Sequence, residues 1–310
     1  MKAIAIKDFG APATVVDLPD PEPAEGEIVV RVAASSINGF DLSVAKGGLK
    51  GMMEHRFPVV LGKDFAGTVE ATGSGVNDFN VGDAVFGVVM KPELGDGAFG
   101  EHVAAPAAFV AKIPSGVDSA TAGALGLAGT AAHDAVEAVA AEHGEIVLVS
   151  GATGAVGGIA VQLLETRGAR VIATAGTNEE IAFVRDHGAH HVVDYRGDLA
   201  AAVREAHPGG VDAVLHFAGD GAQLATLIAP GGRLASTLGL TADQIDRDDV
   251  AVTTIMANPT TATLTKLGEA VAAGTVRVPI TRTYRLDDVP EALGDFAAGH
   301  HGKLAVRIEG

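Results

Sequence analysis

The segment Ala152-Thr153-Gly154-Ala155-Val156-Gly157 sets two glycines three positions apart, directly after the apolar run EIVLVS. Ala152 stands where a G-x-G-x-x-G pattern has its first glycine. Gly154 lets a diphosphate approach the backbone, and Gly157 lets the following helix pack close to its strand. A helix that starts near Val156 then turns free N–H groups and the positive end of its dipole toward the anion. The chemistry such a loop serves is dinucleotide binding.

The end of the next apolar strand, RVIATAG, bears on which dinucleotide. An NAD site places an acid there to hold the ribose 2′-hydroxyl. Here the strand runs into Ala175-Gly176-Thr177-Asn178, which is neutral and small, and the first acids, Glu179 and Glu180, fall on the helix that follows. Thr177 or Asn178 can donate to a 2′-phosphate. Arg196, beside Tyr195, is either the cation for that phosphate or a solvated surface residue. NADPH is therefore the expected cofactor. Phe217-Ala218-Gly219 and Thr237-Leu238-Gly239 close two further apolar strands, where a doubly wound sheet takes its ligand; simple turn geometry is the other reading.

Strands apolar on both faces must position these loops. From Glu145 to about Leu240 such strands alternate with helical stretches, an α/β, doubly wound Rossmann layout with a parallel sheet. Residues 1–118 read instead as short β segments punctuated by Gly and Pro, a barrel-like β domain. Between them Ser119–Ala141 reads as one helix, with Asp118 or Ser119 as its N-cap. After about residue 255 the pattern is helical, extended, then helical, and closes on GKLAVRIEG. That strand has no sheet of its own and is expected to return to the first domain. The expected division is 1–118 with 256–310 against 119–255.

Composition excludes several classes. A chain of 310 residues implies about two domains. With 22 basic against 39 acidic residues its net charge of −17 repels nucleic acid and anionic membranes. It has no cysteine, so disulfides, thiolate metal sites and thiol nucleophiles are out. The first residues show no apolar signal-peptide core, and no apolar run is long enough for a membrane span, so a cytoplasmic protein is expected.

The stretches SSINGFDLSVAKG, VLGKDFAGTVEATGSGV, GDAVFG, GAFGEHV, LAGTAAHDAV, SGATGAVGGIAVQLL, GARVIATAG, HGAHHVVDYR and GKLAVRI together resemble the zinc-independent quinone oxidoreductases of the medium-chain dehydrogenase/reductase superfamily. The resemblance implies a GroES-like β-barrel catalytic domain interrupted by the Rossmann domain. It also implies NADPH bound in the cleft between them, a small-molecule quinone or enone as substrate, and a homodimer. Thr130 lies one position before a threonine that many relatives use near the nicotinamide, whose place Ala131 takes.

Metal-dependent relatives hold zinc with a cysteine near Asn38-Gly39 and a His-Glu pair where this chain has Lys63-Asp64. A lysine ammonium repels a dication, so no metal is expected. His55, His102 and His133 read as core or surface residues. The resemblance offers Asn38, Asp41 and Lys63 as the reaction pocket. Asn38 would bond the substrate carbonyl or the nicotinamide ribose. Lys63 would stabilise an enolate or donate a proton, or else pair with Asp64 or Asp41. Asp41 would hold a turn. Some enone-reducing relatives carry a lysine two residues after that aspartate, where Ser43 stands here, so their proton delivery does not transfer.

Without a Lewis acid, reduction of a quinone or an electron-poor C=C is easier than alcohol oxidation, because the resulting anion is a weak base. A non-catalytic NADPH-binding sensor or structural protein is the alternative class. The segment Gly47–Phe57, with two methionines, reads as an apolar adaptable wall or a mobile lid.

Overall fold

The computed structural model describes residues 1–308; Glu309 and Gly310, the end of the expected closing strand, lie outside the described residues. Backbone contacts divide the chain into two units. One comprises Met1–Leu127, Pro259–Ala273 and Ile280–Gly310, and the other Ala128–Asn258 with Gly274–Pro279.

In the first unit the strands Val110–Lys112, Ala84–Val88, Asp64–Thr72, Glu27–Ser36, Lys303–Arg307 and Ile280–Arg285 lie side by side in that order. His102–Pro106 pairs along the first half of Glu27–Ser36. The ladder between Glu27–Ser36 and Asp64–Thr72 shifts register twice, which bends the sheet around its core. Ile28, Val30, Phe65 and Val85 fill that core. Gly67 has to be glycine, because a Cβ there would lie 2.0 Å from the Arg31 carbonyl oxygen. The closing strand does return to this sheet: Ala305 faces Ser36 and Val306 faces Ser35.

The second unit is a six-stranded parallel sheet of Ile146–Ser150, Arg170–Thr174, His191–Val193, Val211–His216, Ile228–Ser236 and Ala251–Thr254. Numbered in that chain order, the strands stand 3-2-1-4-5-6 across the sheet, with the reversal between the first and fourth. That is the dinucleotide-binding arrangement, whose ligands sit at the carboxyl ends of the strands. Val147, Leu148, Val149, Val214 and Leu215 are wholly buried, as strands covered on both faces require.

The helix expected over Ser119–Ala141 is instead two, Ser119–Ala122 and Gly126–Val139. Asp118 caps the first by accepting from the Thr121 N–H at 2.7 Å. The break comes where the chain runs against the sheet: a Cβ on Gly123 would lie 2.8 Å from the Ala34 carbonyl oxygen. One on Gly126 would lie 2.8 Å from Asp64 Oδ1. Among the described residues no helix is long and apolar enough to cross a membrane.

Candidate functional site

The glycine turn after strand Ile146–Ser150 begins one residue earlier than the sequence pattern places it. Gly151, at φ +78°, makes the left-handed turn after Ser150, and Ala152 follows as a buried residue. A Cβ on Gly151 would sit 3.0 Å from Ala218 Cβ, and one on Gly157 would sit 2.2 Å from the Gly151 carbonyl oxygen. Gly157 is thus the close-packing glycine that its spacing implies. Gly154 differs: the nearest atom to a Cβ there is the Gly151 oxygen at 3.5 Å, so the space beside it is open.

Gly154 is also the N-cap of helix Ala155–Thr166, which has no side-chain cap and no acid in its first turn. Its first-turn N–H groups, at Ala155 and Val156, are left to face an anion. Thr153, Ala155 and Val156 are half-buried around this opening. These residues fit a dinucleotide diphosphate.

Neighbouring strand ends are tied to the loop. Ser150 Oγ donates to the Ala218 carbonyl at 2.6 Å, and the Gly151 N–H donates to Thr174 Oγ1 at 3.0 Å. His216 is buried between strands, with Nε2 3.1 Å from the Gly219 carbonyl and Nδ1 3.0 Å from Ser236 Oγ. A carbonyl only accepts, so Nε2 carries the hydrogen and Nδ1 accepts from the serine hydroxyl. Ser236 Oγ in turn accepts from the Leu238 N–H at 3.0 Å. One histidine and one serine, neither singled out by the sequence reading, therefore hold Phe217-Ala218-Gly219 and Leu238-Gly239 together.

Thr130 has no exposed surface within its helix. The loop Ala175-Gly176-Thr177 is not free of acid. Glu180 folds back in a capping box with Thr177 and sets its carboxylate on the Gly176 and Thr177 N–H groups. Tyr195 and Arg196 also lie against Gly176: a Cβ built there would stand 3.0 Å from Tyr195 Cε1 and 2.9 Å from Arg196 Nε.

In the first unit Asn38, Asp41, Lys63 and Asp64 are all buried, and Lys303 joins them from the closing strand. Asp64 is the hub. Its Oδ2 accepts from Ser36 Oγ at 2.7 Å and Asn38 Nδ2 at 2.8 Å, and its Oδ1 from the Leu127 N–H at 2.6 Å. Lys303 Nζ lies 3.4 Å from Oδ2 and donates to Asn38 Oδ1 at 2.5 Å and the Ile37 carbonyl at 3.0 Å.

The Asn38 amide, expected to bond a substrate carbonyl or the nicotinamide ribose, is engaged at both ends within the protein. Lys63 does not pair with Asp64 or Asp41. Its Nζ donates to the Val89 carbonyl at 2.5 Å and lies 4.6 Å over the Phe40 ring. Burial pushes its pKa down, opposed by the charges of Asp41 and Asp64. Among the described residues no three His, Cys, Asp or Glu side chains gather as a metal site.

Asp41 is the N3 residue of helix Gly39–Ala45 and accepts the Asn38 N–H at 2.8 Å, the turn-holding role expected of it. Burial raises its pKa to about 7; the charge of Asp64 adds to this, while the Asn38 bond and the two lysines oppose it. A carboxyl with its folded pKa above the unfolded one contributes its full stability below about pH 4 and loses it as pH rises toward 7. Asp41→Asn keeps an oxygen for the Asn38 N–H and removes the ionisation. Urea unfolding across this range is expected to show the variant gaining on the wild type as pH rises. A difference that stays constant with pH would contradict this.

Residues 24–115 match the alcohol dehydrogenase GroES-like domain family, and residues 187–306 the zinc-binding dehydrogenase family. The chain is 34% identical over 227 residues to a chloroplast envelope quinone oxidoreductase homolog of Arabidopsis thaliana, covering 70% of this chain and 68% of that protein. It also matches a mycocerosic acid synthase-like polyketide synthase of Mycobacterium tuberculosis, at 39% identity over 216 residues. That match covers 68% of this chain but only 10% of the synthase.

The solved quinone oxidoreductase from Coxiella burnetii superposes at a TM-score of 0.91 with 28% identity, over 100% of this chain and 99% of that one. A mycobacterial protein complexed with NADPH superposes at 0.87 with 29% identity, over 99% and 100%. The Rossmann loop, the GroES-like sheet and these likenesses agree: the chain belongs to the quinone oxidoreductase family of the medium-chain dehydrogenase/reductase superfamily, and it is an oxidoreductase that uses a nicotinamide cofactor.

Proposed function

We propose that this chain reduces quinones or α,β-unsaturated carbonyls with hydride from NADPH and without a metal. The observation that carries the reading is the uncapped, acid-free amino end of helix Ala155–Thr166 behind the open space at Gly154. Residues Ala152 to Gly157 are assigned to the diphosphate, Ala175, Gly176, Thr177 and Tyr195 to the adenosine ribose, and the turns at Phe217–Gly219 and Leu238–Gly239 to the rest of the nucleotide. The NADPH held by a structural relative and the quinone oxidoreductase names of others support the same choice.

When bound, the reduced nicotinamide supplies the hydride. With an enone as acceptor, negative charge would develop on the carbonyl oxygen and a proton would have to be delivered. Lys63 is assigned to that developing oxyanion: a buried ammonium with a lowered pKa is a stronger acid than one in water, and it donates a hydrogen bond or the proton. Asn38 and Asp41 are positioning residues, engaged with Lys303, Asp64 and the helix start. Zinc has no part in this reading, because the Asp64 oxygens already hold four donors and two lysine ammonium groups occupy the same cluster.

Purified protein is expected to consume NADPH with a quinone or an enone, at a rate unchanged by chelators. Lys63→Met is expected to lower kcat with an enone by about a hundredfold at neutral pH. Tight NADPH binding with no turnover across a broad panel of both acceptors would leave the non-catalytic binder as the better account.

A further inference from the structure

Glu180 brings an acid to the end of strand Arg170–Thr174, although it is the third residue of helix Asn178–Asp186. Its Oε2 accepts from the Gly176 N–H at 2.6 Å and the Thr177 N–H at 3.0 Å, and its own N–H donates to Thr177 Oγ1 at 3.1 Å. Two backbone donors on one oxygen fix the carboxylate. They leave Oε1 with the Tyr195 hydroxyl, 3.5 Å away, at the limit of a hydrogen bond. Arg196 crosses the same buried glycine: a Cβ built on Gly176 would lie 2.9 Å from its Nε and 3.0 Å from its Cδ. The guanidinium is held by Asp194 through Nε at 3.0 Å and Nη2 at 2.8 Å.

An oriented carboxylate oxygen and a guanidinium therefore flank one glycine at the strand end where a doubly wound sheet meets the adenosine ribose. They favour opposite ligands. Oε1 accepts a hydrogen bond from a ribose 2′-hydroxyl and repels a 2′-phosphate. Arg196 attracts the phosphate, but Asp194 already neutralises it, and with 57% of its side chain exposed it is screened by solvent.

We infer that the ribose site takes NADH as well as NADPH, with Glu180 selecting against the 2′-phosphate and Arg196 selecting for it. This rests on reading the Gly154 loop as the dinucleotide site. It adds NADH to the ligands of that site and gives each charge a direction.

Calorimetric titration of the wild type, Glu180→Gln and Arg196→Gln with NADH and with NADPH tests it. In the wild type the two Kd values are expected within about tenfold of each other. Glu180→Gln keeps the capping box, because an amide oxygen accepts the same two N–H groups, so the melting temperature holds. Its Kd ratio is expected to move toward NADPH by about tenfold, and that of Arg196→Gln toward NADH by a similar factor. A purely structural Glu180 would leave the ratio alone. The inference is overturned if the wild type prefers one nucleotide by more than about a hundredfold, or if Glu180→Gln binds both with an unchanged ratio. Binding of neither nucleotide by the wild type overturns the dinucleotide reading instead, so the two failures are distinguishable.

Discussion

Gly154→Ala is expected to weaken NADPH binding by about a hundredfold while lowering the melting temperature only slightly, as alanine is the poorer N-cap. The protein has room for this methyl, since its nearest neighbour would be the Gly151 oxygen at an ordinary 3.5 Å. The methyl takes the space that a diphosphate needs to reach the N–H groups of the helix start. Gly157→Ala is expected to lose both properties. Its Cβ would stand 2.2 Å from the Gly151 oxygen and 2.6 Å from Ala152 Cα, and both neighbours are backbone that cannot rotate away. The helix must move off its strand by about 1 Å, enough to cost roughly a hundredfold in a positioned interaction and several kcal/mol in packing. Gly294→Ala, in helix Val289–Ala298 with nothing within 4 Å, serves as the control and is expected to stabilise slightly. Calorimetric Kd values and thermal unfolding of the three variants separate the two roles. Equal loss of stability in Gly154→Ala and Gly157→Ala would contradict the assignment.

The second large effect is one of stability, in the other unit. Asp64 is 0% exposed and Lys303 2%. Removing one partner of a buried ion pair leaves the other charge in low dielectric, at a cost of about 3–5 kcal/mol. Lys303→Met is therefore expected to lower unfolding stability by about that amount, and Asp64→Asn by a comparable one. The double variant Asp64→Asn/Lys303→Met is expected to recover much of the loss, since no unpaired charge remains. A urea double-mutant cycle measures this coupling. Additive losses would show that each side chain acts through separate hydrogen bonds. The pair adds a side-chain tie to the ladders that hold the closing strand between Glu27–Ser36 and Ile280–Arg285: Lys303 reaches Ile37, Asn38 and Asp64.

Much of this architecture is legible in the sequence. The runs EIVLVS and VDAVLHFAG are apolar on both faces, which requires a parallel sheet between helices, and Gly157 carries its own packing reason. The turn at Gly151 is less legible, because the pattern tolerates a shift of one residue and only the backbone angle shows which glycine makes it. Contacts across long separations are hidden altogether. Nothing near Asp64 in the sequence announces Lys303, 239 residues away, so the sequence offers only its chain neighbour Lys63 as one candidate partner and leaves the Asn38 amide open to a ligand. Glu180 was obscured differently. Its helical position sets it beyond the strand end, yet the capping box turns its carboxylate back onto that end. Gly123 and Gly126 mark the interruption between Ala122 and Gly126 in the sequence, but their close approach to Ala34 and Asp64 shows only in the fold.

Deuterium tracing tests hydride transfer most directly. Purified protein is mixed with NADPH deuterated at the transferring C4 position and a panel of enones and quinones, and the products are read by mass spectrometry and NMR. The account predicts that NADPH is consumed and that one deuterium appears at the β-carbon of a reduced enone, with the same outcome when chelator is present. Unchanged NADPH across the panel, or a reduced enone that carries no deuterium from it, would contradict it.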